Sequence, residues 1–586
     1  MQLRDYQEEI IERAVEALNN GRSVVINAPT GTGKTVIALE TLRRLNKIGW
    51  VYVRTISQYS SWERDAMKLG LSFTGLMRKG EFCKVLKKPY VLHCTICDEE
   101  VDDADHIREH KKFIEKKYIN PVCFDPDAPD KWSALCEYRV EYIAHKMYED
   151  ALDLGDFVDK KNEDAPHFID VVTRKMYDLL YSKGIQGAAN WFRDNRVRFR
   201  GNDYDVCVYK LIEENARVRI YSYIYFFLGI RRPKTDDNAI IIFDEAHNLD
   251  DFNINSMTLT LKEVTGFFSR IKEIKEGQVS DSFTAFVQDP ERGFEFMDIL
   301  VKANEELAAK FGVVINAWKE RDKWYIERDE TTWSYIKVMP ADPAMWLSKL
   351  NNYRYILLSG TMPSPDYLRT MWGLNNFEYI NALSLWSKTS LKDHFKGARI
   401  LVDDSVYYIS DERPNYRKKV AELIRRFSRK DGLNLVIFPS YNDMEAYRNL
   451  FPGAFFENAR PGVLDDVKKL PDGSIVFAVA GGKLSEGIEV LDSEGKSRIR
   501  TVFVVGLPIP EYKDPYLNRI IEVVSTRAGK DPKSFKWSVL YEKAIIKVKQ
   551  AIGRAIRGPT DSATIYLIDK RFTHRNVMEK MGLEVA

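Results

Sequence analysis

Residues 23–45 read SVVINAPTGTGKTVIALETLRRL. SVVIN is an apolar run of the kind that forms a strand buried on both faces. A loop of small residues follows, and an amphipathic pattern predicts a helix from near Lys34. Strand, loop and helix in that order make a phosphate-binding loop. Its backbone N–H groups point inward, and the helix N-terminus adds partial positive charge. Ala28, Pro29, Thr30, Gly31, Thr32, Gly33, Lys34 and Thr35 are the expected cradle. Lys34 can reach the β- and γ-phosphates, and Thr35 can ligate Mg²⁺. The pattern G-x-x-x-x-G-K-[ST] is broken once, where Ala28 replaces the first glycine. The competing reading is a chance Gly-rich turn, which the flanking strand and helix disfavour.

Two further stretches suit the same chemistry. In NAIIIFDEAHNLDD (238–251), an apolar strand delivers Asp244 and Glu245 to its C-terminal end, where open α/β sheets bind ligand. Asp244 can hold Mg²⁺, and Glu245 can orient and deprotonate an attacking water. In KQAIGRAIRG (549–558), Gln550, Gly553, Arg554 and Arg557 follow i, i+3, i+4, i+7 spacing. That spacing predicts one helix face, able to approach a triphosphate from a second domain. Arg554 and Arg557 would then stabilise transition-state charge. Taken alone, this stretch would read as a basic surface helix.

The whole composition is that of an ordinary globular chain: 586 residues, 45% hydrophobic and 30% charged. No run approaches the roughly 18 apolar residues that span a bilayer. IYSYIYFFLGI (220–230) is shorter and reads as a buried strand. The charged, helix-patterned start MQLRDYQEEIIERA is no secretory signal, so a cytoplasmic protein with no membrane partner is expected. The net charge of +2 (88 Lys and Arg against 86 Asp and Glu) excludes a polycation but leaves room for a local basic groove. Six cysteines stand at 83, 94, 97, 123, 136 and 207. Five fall within residues 83–136, a clustering that suggests metal before disulfide in a cytosolic chain.

The three stretches, in this order, resemble superfamily 2 helicases. DEAHN, SGTMPSP, LSEGIE and QAIGRAIR make the resemblance closer to the XPD-like iron–sulfur helicases, of which an archaeal member is expected. VYVRTISQYSSWERD (51–65), with Arg54, is similar to the segment that touches the DNA backbone. YILLSGTMPSP (355–365) resembles the segment coupling ATP to DNA. NLVIFPSYNDM (434–444) and GGKLSEGIEV (481–490) match two motifs of the second motor domain. Gly487 and Glu489 lie in the latter, with Glu489 where the family has Asp. LRDYQ (3–7) places Gln7 on the adenine side.

The resemblance implies two RecA-like parallel-sheet domains, an α/β fold. The first takes 1–78, 207–250 and 345–375, and the second takes 376–586. Inserted in the first are an iron–sulfur domain (79–206) and a helical arch (251–344). In the arch, KEVTGFFSRIKEIKE (262–276) carries an apolar stripe that reads as core, and a second helix is expected to end at Gly312.

The resemblance also implies a [4Fe–4S] cluster on Cys83, Cys123, Cys136 and Cys207. A quartet using Cys94 or Cys97, and no metal at all, stay open. LHCTICDEEVDDADHIREH (92–110) then leaves Cys94, Cys97, His106 and His110 as a possible Zn²⁺ clip. A solvated helix is the alternative there. NWFRDNRVRFRG (190–201) interleaves Trp191, Phe192 and Phe199 with Arg193, Arg196, Arg198 and Arg200, as a single-strand groove requires. An exposed amphipathic edge reads equally well.

The expected function is an ATP- and Mg²⁺-dependent DNA helicase acting in repair. It would be a monomeric motor moving 5′ to 3′ on single-stranded and forked DNA. Two rivals are a nucleic-acid-stimulated ATPase that remodels complexes without unwinding and a non-enzymatic, metal-dependent DNA-binding protein.

Overall fold

The structure, a computed structural model, describes residues 2–75, 83, 90–94, 99–101, 103, 108, 114–118, 136–153, 164–209, 211–212, 216–229, 231–235, 238–250, 256–268, 276–291, 305–394, 396–407, 413–458, 462–487 and 490–581. The chain forms two compact units. One comprises residues 38–242, the other 2–37 with 243–586.

In the unit of residues 38–242, the strand Val218–Ser222 pairs in parallel with Ile48–Val53 and with Phe73–Thr74. The helix Ile56–Lys68 follows Ile48–Val53 and buries Trp62 completely. IYSYIYFFLGI is only half a strand. The chain turns at Ser222 into a short helix, Tyr223–Phe227, which leaves Ile224 and Leu228 exposed. Hydrophobic periodicity cannot separate a strand from a buried helix over so short a run. Farther along, Tyr90–Cys94 pairs antiparallel with Glu99–Glu100 and with Ile114–Tyr118. A long helix, Asp164–Asp194, kinked at Gly184, leads into the hairpin Val197–Phe199 and Asn202–Tyr204.

In the other unit, Ser23–Asn27 lies between Tyr355–Ser359 and Phe377–Asn381, all parallel. Every residue of the first two strands is buried. Burying each Val, Ile or Leu side chain of such a strand is worth about 1.5–3 kcal/mol. A six-stranded sheet follows. Its order is Ala398–Asp403, Ala563–Ile568, Ile499–Val505, Leu433–Phe438, Ile475–Val479 and the two-residue Phe455–Phe456. All its pairings are parallel.

Alternation decides which helix covers which face of that sheet. Leu433, Leu435, Ile437, Val502 and Val504 pack with Ala544, Ile545 and Val548 of the helix Pro532–Ile552. Val436, Phe438, Phe477 and Phe503 pack with Val420 and Ile424 of Arg413–Phe427. A separate core gathers around Val264, Phe283, Phe286 and Phe311, set against the antiparallel strands Met257–Thr260, Tyr335–Pro340 and Trp324–Arg328. Gly312 does not end its helix, which runs Glu305–Lys319. Packing of Phe311, Val314 and Ile315 outweighs the roughly 1 kcal/mol that an internal glycine costs.

No helix among the described residues is long and apolar enough to cross a membrane.

Candidate functional site

The phosphate loop leaves the C-terminal end of Ser23–Asn27, and the helix behind it starts at Lys34. Gly31 and Gly33 have φ of 80° and 82°, the left-handed region where glycine carries no penalty. Ala28 is fully buried, its N–H donates to the Ser359 carbonyl at 2.9 Å, and its φ is not positive. The missing first glycine therefore costs the loop nothing. Gln7 braces the loop, its amide nitrogen donating to the Thr32 carbonyl at 2.8 Å. The Tyr6 hydroxyl reaches the same carbonyl at 3.4 Å.

Asp244 ends its strand buried, and its Oδ1 accepts from the Glu245 amide at 3.0 Å. Glu245 holds φ 53°, ψ 43°, a left-handed conformation that costs a Cβ-bearing residue about 1–2 kcal/mol. Strain of this kind gathers at functional sites. Loss of solvent pushes the Glu245 pKa up. Lys34, a hydrogen bond from His247 and the charge of Arg554 outweigh it and hold the pKa down at about 2. Glu245 is thus ionised at neutral pH.

His247 joins three segments. Its Nδ1 lies 2.6 Å from Ser359 Oγ and 3.3 Å from Glu245 Oε2, and its Nε2 lies 2.7 Å from the Gln550 amide nitrogen. With Gln550 donating, Nε2 accepts and Nδ1 carries the proton toward Ser359 and Glu245. The stretch DEAH is plain in the sequence, but the link between His247 and Ser359 is not. The signal was present in a histidine two residues past the carboxylate, but its partners are 112 and 303 residues away.

The arginine pair corrects an expectation. The helix ends at Ile552 with Gly553 as its cap, so Arg554 and Arg557 do not continue the face of Gln550. They leave a turn instead, which brings Gly553 close to Thr30 of the phosphate loop. Arg554 Nε donates to the Ser485 carbonyl at 2.8 Å, and the Arg557 amide donates to Asp561 at 2.8 Å. Ser485 belongs to the short helix Lys483–Gly487. Buried Glu457 ties that helix to the end of the strand Ile475–Val479 by accepting from the Leu484 and Val479 amides. Glu489 lies outside the described residues.

Among the cysteines, the Cys207 amide donates to the Tyr138 carbonyl at 2.6 Å, and Arg139 bridges to Cys207. The segments carrying Cys136 and Cys207 therefore run side by side. Cys83 is buried, and none of these three thiols is in a disulfide. Cys123, Cys97, His106 and His110 lie outside the described residues, as does the side chain of Cys94. Among the described residues, no three metal-ligating side chains converge.

Of the strand-contact candidates, Phe199 is corrected. It is buried with its ring 5.4 Å from that of Phe168, so its face cannot stack on a base. Phe192 is buried too. Trp191 is half-buried under Lys175, whose Nζ lies 4.7 Å from the ring centre. Arg193 pairs with Asp194 and Arg196 with Asp205, while Arg54 and Arg198 are exposed.

Three families match parts of the chain. "Helicase C-terminal domain" matches residues 423–585, "DEAD_2" matches 192–265, and "Type III restriction enzyme, res subunit" matches 1–83. The ATP-dependent DNA helicase XPD of Sulfolobus acidocaldarius is 24% identical over 622 residues, covering 98% of this chain and 96% of that one. The ATP-dependent DNA helicase chl-1 of Caenorhabditis elegans is 38% identical over 115 residues, 20% of this chain and 13% of that protein. A solved XPD helicase shares the fold at a TM-score of 0.60 and 20% identity, covering 99% of this chain and 98% of that one.

Proposed function

Because the chain belongs to the XPD-like superfamily 2 DNA helicases, we propose that it spends ATP to move 5′ to 3′ on single-stranded DNA and to unwind duplex in repair. The observation that carries this reading is His247. It links the carboxylate turn to Ser359 at the end of the strand Tyr355–Ser359 and to Gln550 near the end of Pro532–Ile552. A shift of that C-terminal helix is therefore felt at Glu245.

Lys34 binds the β- and γ-phosphates, and Thr35 and Asp244 would hold Mg²⁺, which would neutralise phosphate charge. Glu245 orients a water whose oxygen bonds to the γ-phosphorus as the bond to the β–γ bridging oxygen breaks. The proton passes to Glu245. Arg554 and Arg557 stabilise the charge that develops on the transferring phosphoryl group. Residues 79–206 form the iron–sulfur insertion and 251–344 the arch. Cys83, Cys123, Cys136 and Cys207 would hold a [4Fe–4S] cluster, which would tie the insertion together, and Cys94, Cys97, His106 and His110 are the candidate zinc ligands. Arg54, Trp191, Arg193, Arg196 and Arg198 contact the strand.

The test is ATP turnover beside strand displacement on a forked duplex. Lys34→Ala should lose ATP binding. Glu245→Gln should bind ATP and not hydrolyse it, and turnover retained in that variant defeats the assignment. Turnover without displacement by the unaltered chain would mark an ATPase that remodels without unwinding.

A further inference from the structure

At the far end of the carboxylate turn, the Asp250 side chain is only 6% exposed. A buried carboxylate needs compensation, because loss of hydration strongly disfavours its charge. Two segments distant in sequence supply it. The Tyr367 hydroxyl, on the helix Pro365–Trp372, donates to Asp250 Oδ2 at 2.6 Å. Lys543 Nζ, on the helix Pro532–Ile552, lies 3.4 Å from the same oxygen. All three side chains line a cavity of about 510 Å³ that also takes in His247 and Gln550.

Lys543 and Gln550 are seven residues apart, two turns along one helix face. Gln550 meets His247 in the middle of the turn, and Lys543 meets Asp250 at its end. Next to Lys543, Glu542 accepts from the Ser364 amide at 2.6 Å, at the N-cap of the helix that carries Tyr367. The turn between is short and internally bonded, the Asn248 amide to the Glu245 carbonyl and the Leu249 amide to the Ala246 carbonyl. So a displacement at Asp250 cannot be absorbed before it reaches Glu245.

We propose that Asp250, Tyr367 and Lys543 form a positioning latch, through which the C-terminal helix sets the carboxylate turn for hydrolysis without contact to nucleotide. The inference rests on the ATPase reading given above. Asp250 and Lys543 are positioning residues in it, acting through Glu245 and His247.

Asp250→Asn keeps a carbonyl oxygen for Tyr367 but loses the charge, and Lys543→Met loses the cation. Each should lower kcat for DNA-dependent ATP hydrolysis about tenfold with KM for ATP within about twofold of the unaltered protein. Lys543→Arg should restore most of the rate. The double variant should be no worse than either single one, since the pair acts as a unit. Hydrogen exchange at the Asn248 and Leu249 amides should quicken in Lys543→Met, although the change is on another helix. An unchanged kcat, a rise in KM alone, or losses that add would overturn the latch. An unaltered chain that does not hydrolyse ATP would overturn the ATPase reading instead. The exchange measurement needs no turnover, and exchange at 248 and 249 equal to that of the unaltered chain refutes the latch by itself.

Discussion

At the scale of single residues, the phosphate loop separates two glycine positions that one pattern treats alike. A Cβ on Gly33 would sit 2.4 Å from Gln7 Nε2, on a backbone of φ 82°. Gly33→Ala should therefore lose about 1–2 kcal/mol to backbone strain and push Gln7 off the Thr32 carbonyl. Weaker ATP binding and a lower melting temperature, measured by nucleotide titration and calorimetry, would show it. Ala28→Gly should leave nucleotide affinity unchanged, because no left-handed φ is called for there. The placement of Lys34 at a helix start and of Asp244 at a strand end was legible in the sequence, because each lies within one contiguous stretch. His247 was not, since its role comes from Ser359 and Gln550. Nor was the burial of Phe199, where alternation with arginines looked like a groove and is the inward face of a hairpin.

Elements were legible where their environment is uniform. The strands read from SVVIN and AIIIF are present, since a strand covered on both faces must be apolar throughout. Their ends were less so. The helix before Arg554 stops two residues early for the spacing argument, because Gly553 and the turn after it give the backbone a different course. The turn takes Arg554 to the Ser485 carbonyl and into reach of Glu245. Arg554→Ala should accordingly lower kcat for ATP hydrolysis by about 10³-fold or more, with a much smaller change in ATP affinity. A fall in affinity at constant kcat would make Arg554 a ground-state contact.

Across the whole molecule, the residues assigned to nucleotide lie in one compact unit, and Cys83, Cys136 and Cys207 lie in the other. Nucleotide chemistry should then outlast loss of the proposed [4Fe–4S] cluster. Cys207→Ser is expected to lose its iron and to keep part of its ATP turnover, while forked-duplex unwinding disappears. Cys94→Ser should keep its iron. Iron analysis and strand displacement on both variants check this, and the reverse pattern would move the cluster to Cys94. The six-stranded sheet has a consequence of another kind. One edge is Phe455–Phe456, two residues long, with the Arg448 guanidinium 4.2 Å from the centre of the Phe456 ring. The other is Ala398–Asp403, which places the charges of Arg399 and Asp403 along its length. An edge so short or so charged gives a second chain little to add strands to. Crowded copies of this protein therefore have poor templates on that sheet for the edge-to-edge pairing that begins aggregation.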